Sequence, residues 1–194
     1  MKIACSSASF GAALDAGELT QLEWLDLCAN ELEVDGVVFD ARHFPRTDDE
    51  YLAQLLKTAT DLGLGIAGLS ADSLFDEGAP SWLETAKTLR APLVLARAPA
   101  PADDATAWTR FSARAKAKAG EGKALNVTLA LRNAPATLCA NAADLRALAK
   151  DVDSAWLRFA LDLAALESSE AADALLSKTA IAVKSRACPK SSPI

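Results

Sequence analysis

The stretch LNVTLALRNAPATLCANAADLRALAKDVDSAWLRFALDLAAL, residues 125–166, decides the fold. Its pattern predicts a strand that ends at Arg132 and Asn133, then a helix, and then a second strand that ends at Asp162. A helix between two strands is the usual crossover between parallel strands. Both strands therefore end at the same edge of a parallel sheet, where Arg132, Asn133 and Asp162 come together.

The rest of the chain repeats this alternation of short apolar runs and helical patterns, which is typical of β/α units. We predict strands at residues 2–6, 36–40, 65–70, 92–97, 126–132, 157–162 and 180–184, and helices at residues 20–32, 48–62, 80–89, 105–119, 140–150 and 169–177. Thr20 and Glu23 have the spacing of a helix capping box, and Gly63 follows the end of the second helix. The pattern amounts to about seven β/α units.

Side chains alternate in size along the strands in a way that favours a closed barrel. If Asp162 points inward, then Ala160 and Arg158 share its face and the large aliphatic residues point outward. In the preceding strand the same rule places four residues inside: Asn126, Thr128, Ala130 and Arg132. A flat doubly wound sheet needs large apolar residues on both faces, so it is the second choice.

The C-terminal segment does not have the pattern of a further strand. After Lys184 it contains Pro189, Pro193 and several small polar residues, which cannot form a buried central strand. We therefore predict an α/β fold, a shortened (β/α) TIM-type barrel whose eighth strand is missing. Residues 1–185 form a single barrel domain and residues 186–194 a tail. The open edge is closed either by the first and seventh strands or by a homodimer, which we favour.

These motifs resemble the xylose isomerase-like TIM barrels, the superfamily of sugar phosphate isomerases and epimerases and of endonuclease IV. The resemblance rests on residues 34–71 and 125–184. It implies metal ligands at the strand ends: a glutamate where this chain has Arg132, and histidines where it has Ala165 and Ala182. Of the implied ligands only Asp162 is present. The resemblance thus predicts the fold together with a degenerate metal site, no bound metal and no cofactor.

An arginine at a strand end suits an anion, because its guanidinium is a fixed, permanently charged fork. We expect Arg132 to replace the metal electrostatically and to pair with Asp162. The candidate ligand-binding residues are Ser70, Arg97, Arg132, Asn133, Asp162 and Lys184, with Ser6 or Ser7 at the first strand end. They predict a sugar phosphate or sugar acid as ligand. Alternatively, the cations pair with Asp40 and Asp162 and plug the barrel.

The candidate catalytic residues are His43, Asp40 and Asp162. His43 is the single histidine, and as a general base it would use Asp40, three residues earlier, to orient its ring. The alternative is that His43 begins a loop that packs over the barrel edge.

Charge and hydropathy limit the classes of partner. The formal net charge of −6 gives no support for nucleic-acid binding, and no run approaches the about 20 apolar residues that span a bilayer. The four cysteines lack metal-site or C-x-x-C spacing, as is typical of reduced structural thiols in a cytoplasmic protein. Two functions remain. One is a metal-independent isomerase- or epimerase-like barrel that takes an anionic carbohydrate; the other is a non-catalytic scaffold or oligomerisation protein.

Overall fold

The computed structural model describes residues 2–102, 104–162, 175 and 179–183, with the backbone alone for residues 180–183. Its strands are β1 Ala4–Ser6, β2 Gly36–Asp40, β3 Gly65–Ser70, β4 Leu93–Arg97, β5 Thr128–Arg132, β6 Leu157–Asp162 and β7 Thr179–Val183. Its α-helices are α1 Gly11–Asp15, α2 Gln21–Asn30, α3 Asp49–Asp61, α4 Trp82–Thr88, α5 Ala107–Leu125 and α6 Ala142–Val152. The short 3-10 turns Ser7–Phe10, Ala41–His43 and Asp72–Phe75 follow β1, β2 and β3.

All seven strands are parallel and pair in the order β1-β2-β3-β4-β5-β6-β7. This is the predicted α/β fold, a shortened TIM-type barrel. β1 and β7 stand at opposite ends of the hydrogen-bonded order. In the described part of the chain, each therefore has a strand neighbour on one side only.

The apolar core has two parts that follow the predicted alternation. Outward-facing Leu129, Leu131 and Phe159 are fully buried between the sheet and the helices. Inward-facing Ala130 and Ala160 form a small separate cluster with Leu95 inside the barrel. Small side chains inside and large ones outside let the strands curl tightly while the helices cover the outer face.

The helix α1 was not predicted, and the boundary between α5 and β5 differs most from the prediction. Asn126 is not the first inward residue of β5: it has φ 60° and caps the C-terminus of α5, and the strand begins at Thr128. α5 itself continues to Leu125, six residues past the predicted end at residue 119. The predicted helix at 169–177, apart from Leu175, and the tail at 186–194 lie outside the described residues.

Helix ends are fixed by side chains close in sequence. The predicted capping box is present: the Glu23 N–H donates to Thr20 Oγ1 at 3.2 Å, and the Thr20 N–H donates to Glu23 Oε2 at 2.8 Å. α6 begins with the same arrangement, built from Asn141 and Asp144. In the described part of the chain, the helices lack the combination of length and apolar character that would let one cross a bilayer.

Candidate functional site

The C-terminal edge of the sheet brings two arginines side by side. Arg97 ends β4, Arg132 ends β5, and the two are register partners. Leu95 and Ala130, two residues before them, belong to the inner cluster. Because side chains alternate along a strand, Arg97 and Arg132 start from the inner face of the barrel.

Asp72 reaches the same point from the turn after β3. Ser70 pairs with Leu95, and the Ala71 N–H continues this ladder by donating to the Leu95 carbonyl at 2.7 Å. The chain then turns, and Asp72 lies level with the end of β4. Arg97 Nη2 is 2.5 Å from Asp72 Oδ2, and Arg132 Nη2 is 3.6 Å from Asp72 Oδ1.

We call these three side chains the Arg97–Asp72–Arg132 cluster. Two guanidiniums share one carboxylate, so the formal charges of these three side chains sum to +1. All three side chains are partly open to solvent, with exposed fractions of 45%, 39% and 32% for Arg97, Asp72 and Arg132. The predicted Arg132–Asp162 pair is wrong, because the carboxylate that faces Arg132 is that of Asp72. Asp72 was missed, although an acid two residues past a strand end was a visible signal.

Asp40, at the end of β2, is held by Arg42. The Arg42 backbone N–H and Nε both lie 3.1 Å from Asp40 Oδ1, and Arg42 Nη2 lies 3.3 Å from Oδ2. This carboxylate raises the pKa of Arg42, and the charges of Asp15 and Asp72 add to the effect. Both oxygens of Asp40 therefore have a cationic partner. Arg42 was not among the predicted site residues.

His43 is buried in a network with Ser7. Ser7 Oγ accepts the Asp40 backbone N–H at 2.8 Å and lies 2.9 Å from His43 Nδ1. His43 Nε2 is buried without a hydrogen bond, 3.7 Å from Asp15 Oδ1, and the His43 side chain is 1% exposed. The predicted role of Asp40 in orienting the ring is wrong: Ser7 holds the ring. The network joins the turn after β1 to the end of β2 and to the turn that follows it.

The other predicted residues are placed as follows. Asn133 is 1% exposed, and its side-chain amide is hydrogen-bonded to the backbone of β6. Its Nδ2 donates to the Asp162 carbonyl at 3.1 Å, and its Oδ1 accepts the Asp162 N–H at 2.7 Å. Ser70 is buried as the register partner of Asp40 and Leu95. The Ser6 hydroxyl caps the turn that follows it by accepting the Ala8 N–H at 3.3 Å. Lys184 lies outside the described residues.

No group of three or more histidine, cysteine, aspartate or glutamate side chains that could hold a metal ion occurs among the described residues. Of the positions to which the resemblance assigns metal ligands, Arg132 and Asp162 are described, Ala182 is described for its backbone, and Ala165 is not described. The side chain that β5 contributes to this edge is thus a cation.

A cavity of about 300 Å³ lies between the turn after β3, the loop after β4 and α5. Its apolar wall contains Phe75, three residues after Asp72, and Pro99, two residues after Arg97, together with Phe111 and Leu138. Arg110 and Arg114 also line it, and they pair with Asp104 and Glu77. The turn after β3 thus contributes Asp72 to the cluster and Phe75 to the cavity wall.

No protein-family model matches the chain, and no curated protein matches its sequence. Solved structures match its fold. A probable 3-DHS dehydratase involved in petrobactin synthesis in Bacillus anthracis superposes with a TM-score of 0.75 at 16% identity, covering 92% of this chain and 71% of that one. A D-psicose 3-epimerase determined in the presence of D-fructose gives a TM-score of 0.64 at 20% identity, covering 84% and 63%.

A xylose isomerase domain protein from Planctomyces limnophilus gives a TM-score of 0.67 at 12% identity, covering 81% of this chain and 67% of that one. This chain thus spans between 63% and 71% of the lengths of these three structures. The parallel order of the strands and these superpositions agree with the motifs in residues 34–71 and 125–184. The fold of this chain is that of the xylose isomerase-like TIM barrels.

Proposed function

We propose that this barrel binds an anionic carbohydrate, a sugar phosphate or sugar acid, at the Arg97–Asp72–Arg132 cluster and without a divalent metal. The observation that carries the proposal is the convergence of two guanidiniums on one carboxylate at the strand C-terminal edge. Guanidinium forks bind carboxylates and phosphates through paired, charge-assisted hydrogen bonds. The sugar skeleton is suggested by the D-psicose 3-epimerase and xylose isomerase domain structures that share the fold.

In this proposal Asp72 holds both arginines in place until a ligand arrives. Its carboxylate occupies the position that the anionic group of the ligand would take, and the ligand competes with it for the same N–H groups. Any isomerase- or epimerase-like chemistry at this edge would then be metal-independent.

The test is calorimetric titration at low salt with glucose 6-phosphate, gluconate and uncharged glucose. Binding of the two anions should weaken about 10- to 100-fold in Arg97→Met and in Arg132→Met, as expected for the loss of a charge-assisted contact. Asp72→Asn should tighten binding, because the resident carboxylate no longer competes. Arg146→Met is the matched control, since Arg146 is exposed on α6, away from the cluster.

Two outcomes would contradict the proposal. One is equal affinity for glucose and for the two anions; the other is the same loss in Arg146→Met as in Arg132→Met. The metal-free part has its own measurement. After dialysis against Mn²⁺ or Zn²⁺, elemental analysis should find far less than one ion per chain. Stoichiometric metal that disappears in Asp162→Ala would overturn it.

A second candidate function is that of a scaffold that dimerises through the open edge of the sheet. It is favoured by the exposure of two large apolar side chains beside β1: Ile3 is 56% exposed and Leu32 is 44% exposed. The loop that follows Leu32 reaches β1, where the Asp35 N–H donates to the Ile3 carbonyl at 2.9 Å. Light scattering at high micromolar concentration should find a homodimer that Ile3→Lys dissociates. A monomer whose amides 3–6 resist hydrogen exchange would instead support direct closure of β1 on β7.

A further inference from the structure

The cavity of about 300 Å³ between the turn after β3, the loop after β4 and α5 has a wall of apolar side chains. Phe75 comes from that turn and Phe111 from α5, and their rings meet edge to face with centroids 5.2 Å apart. Pro99 and Leu138 come from the loops after β4 and β5, and the Leu138 N–H donates to the Pro99 carbonyl at 2.9 Å. Four segments of the chain therefore form one apolar pocket, and direct contacts between them hold its walls together.

Arg114 lines this cavity and is held in place by the backbone. Its Nη1 donates to the Phe75 carbonyl at 3.1 Å, and its Nη2 donates to Glu77 Oε1 at 2.7 Å. The Glu77 side chain is 88% exposed, and that of Arg114 is 49% exposed. An ion pair with so exposed a partner contributes little to stability, because water screens it and fixing a mobile side chain costs entropy. Glu77 is thus easily displaced, while the bond to the Phe75 carbonyl keeps the guanidinium at the cavity.

The other charged side chains that line the cavity are those of Arg110 and Asp76. Arg110 is committed to residues near it in sequence, since its Nη1 contacts Asp104 Oδ2 and donates to Thr106 Oγ1 at 2.7 Å. Asp76 is exposed to solvent. Two acidic and two basic side chains thus line the cavity, so their net charge does not choose between an anion and a cation. The choice falls to the anchored donor, which is Arg114.

We propose that this cavity binds a small carboxylic acid with an aromatic body, whose carboxylate takes the place of Glu77 on Arg114. The aromatic body lies against Phe75 and Phe111, where removal of apolar surface from water and edge-to-face ring contacts favour binding. The carboxylate accepts charge-assisted hydrogen bonds from the guanidinium of Arg114. It prevails over Glu77 because the body that carries it is held in the cavity, whereas the Glu77 side chain is almost fully exposed.

Three probes with the same body and different end groups test the proposal on the full chain: phenylpropionate, phenylpropanol and phenylpropylamine. Amide chemical shifts of the isotope-labelled protein report both the affinity and the place of binding. For an acid this small we expect a dissociation constant on the order of 1 mM, with the shifts concentrated at residues 75–77 and 110–114. The alcohol should bind about 10-fold more weakly, because it lacks the charge-assisted contact, and the amine more weakly still. The proposal is overturned if the alcohol or the amine binds as tightly as the acid.

Two pairs of variants separate the carboxylate contact from the cavity itself. Arg114→Met should weaken binding of the acid about 10-fold and leave binding of the alcohol unchanged, whereas Arg146→Met, on the exposed face of α6, should change neither. Ala107→Leu places a larger side chain in the cavity at the start of α5 and should weaken binding of all three probes. Its control is Ala113→Leu, an exposed position on the same helix. Unchanged affinity for the acid in Arg114→Met or in Ala107→Leu overturns the proposal.

Two further variants test the exchange of carboxylates and the location of the site. Glu77→Gln should tighten binding of the acid alone, because the resident carboxylate no longer competes for Arg114. Neither Arg97 nor Arg132 lines the cavity, so Arg97→Met should leave the affinity for phenylpropionate unchanged. An equal loss in Arg97→Met and in Arg114→Met would show that the acid binds at the Arg97–Asp72–Arg132 cluster, and it would overturn the proposal of a separate site.

Discussion

Replacement of Asn133 by alanine would separate a structural role for this residue from a ligand-binding one. The last register pair between β5 and β6 is Arg132 with Ala160. Beyond this pair, the side-chain amide of Asn133 bonds the Asp162 backbone as the backbone of a neighbouring strand would. It donates to the Asp162 carbonyl at 3.1 Å and accepts the Asp162 N–H at 2.7 Å. Alanine removes both partners at once.

The expected loss follows from those two contacts. A buried hydrogen bond contributes about 1 kcal/mol net, and a backbone group left without a partner costs about 1–3 kcal/mol. Asn133 is 1% exposed, but Asp162 is only half-buried, so water can replace part of what is lost. We therefore expect Asn133→Ala to lower the free energy of unfolding by about 2–3 kcal/mol.

Urea denaturation followed by tryptophan fluorescence measures this loss, with Asn30→Ala as the control. The Asn30 amide bonds only the Asp26 side chain on the exposed face of α2, so its loss should stay within about 0.5 kcal/mol. In Asn133→Ala the affinity for gluconate should be unchanged, since the amide is directed to β6. If stability is unchanged while anion affinity is lost, Asn133 is a ligand residue and this reasoning is refuted.

Three further predictions use matched positions. In α5, Gly120→Ala should stabilise the fold by up to about 1 kcal/mol, because an added Cβ meets nothing within 4 Å. Gly122→Ala should destabilise the fold, because its Cβ would lie 2.4 Å from the Val127 carbonyl oxygen. Equal melting temperatures for the two variants would contradict this prediction. Ser7→Ala should cost about 2 kcal/mol, since it leaves the buried Asp40 N–H without its acceptor, and Ser6→Ala should cost less in the same urea titration. The rate of Cys5 alkylation by iodoacetamide should rise as pH passes through about 7 and level off above it, because the pKa of Cys5 is lowered to about 7. Cys139, whose pKa is raised by burial, should stay unlabelled. A midpoint of the rate profile near the ordinary thiol pKa would show that Cys28 does not lower the pKa of Cys5.

The strands were predictable because their signals are local. Apolar runs bounded by turn residues placed all seven strands within two residues of their observed ends. Asn126 was misassigned because the strand-like alternation of side chains extends two residues before Thr128, to the residue that caps α5. α5 continues past the predicted end at residue 119 to Leu125, and Gly122 in its last turn lets the Val127 carbonyl approach closely.

The side-chain pairings depend on quantities that the sequence does not display. The sequence shows where strands end, but not how they are staggered, and it is the stagger between β3 and β4 that places Asp72 beside Arg97. Arg132 therefore pairs toward β3 and not toward β6.

The proposed preference for an anionic ligand rests on the charge balance at the strand ends. The interaction energy of two unit charges 4 Å apart is about 4 kcal/mol at the effective dielectric constant of about 20 found near protein surfaces. The repulsion between a dication and each guanidinium at that distance would be about twice as large. The Asp72 carboxylate offsets one of the two arginines, and the other remains. Because each of the three side chains is about one-third to one-half exposed, solvent reduces the magnitude of these interaction energies but does not change their sign. Under the proposed function we therefore expect an anion, and not a divalent cation, to bind beside Arg97 and Arg132, although the chain as a whole carries a net charge of −6. In this proposal the local arrangement of three side chains, and not the overall charge, determines the sign of the ligand.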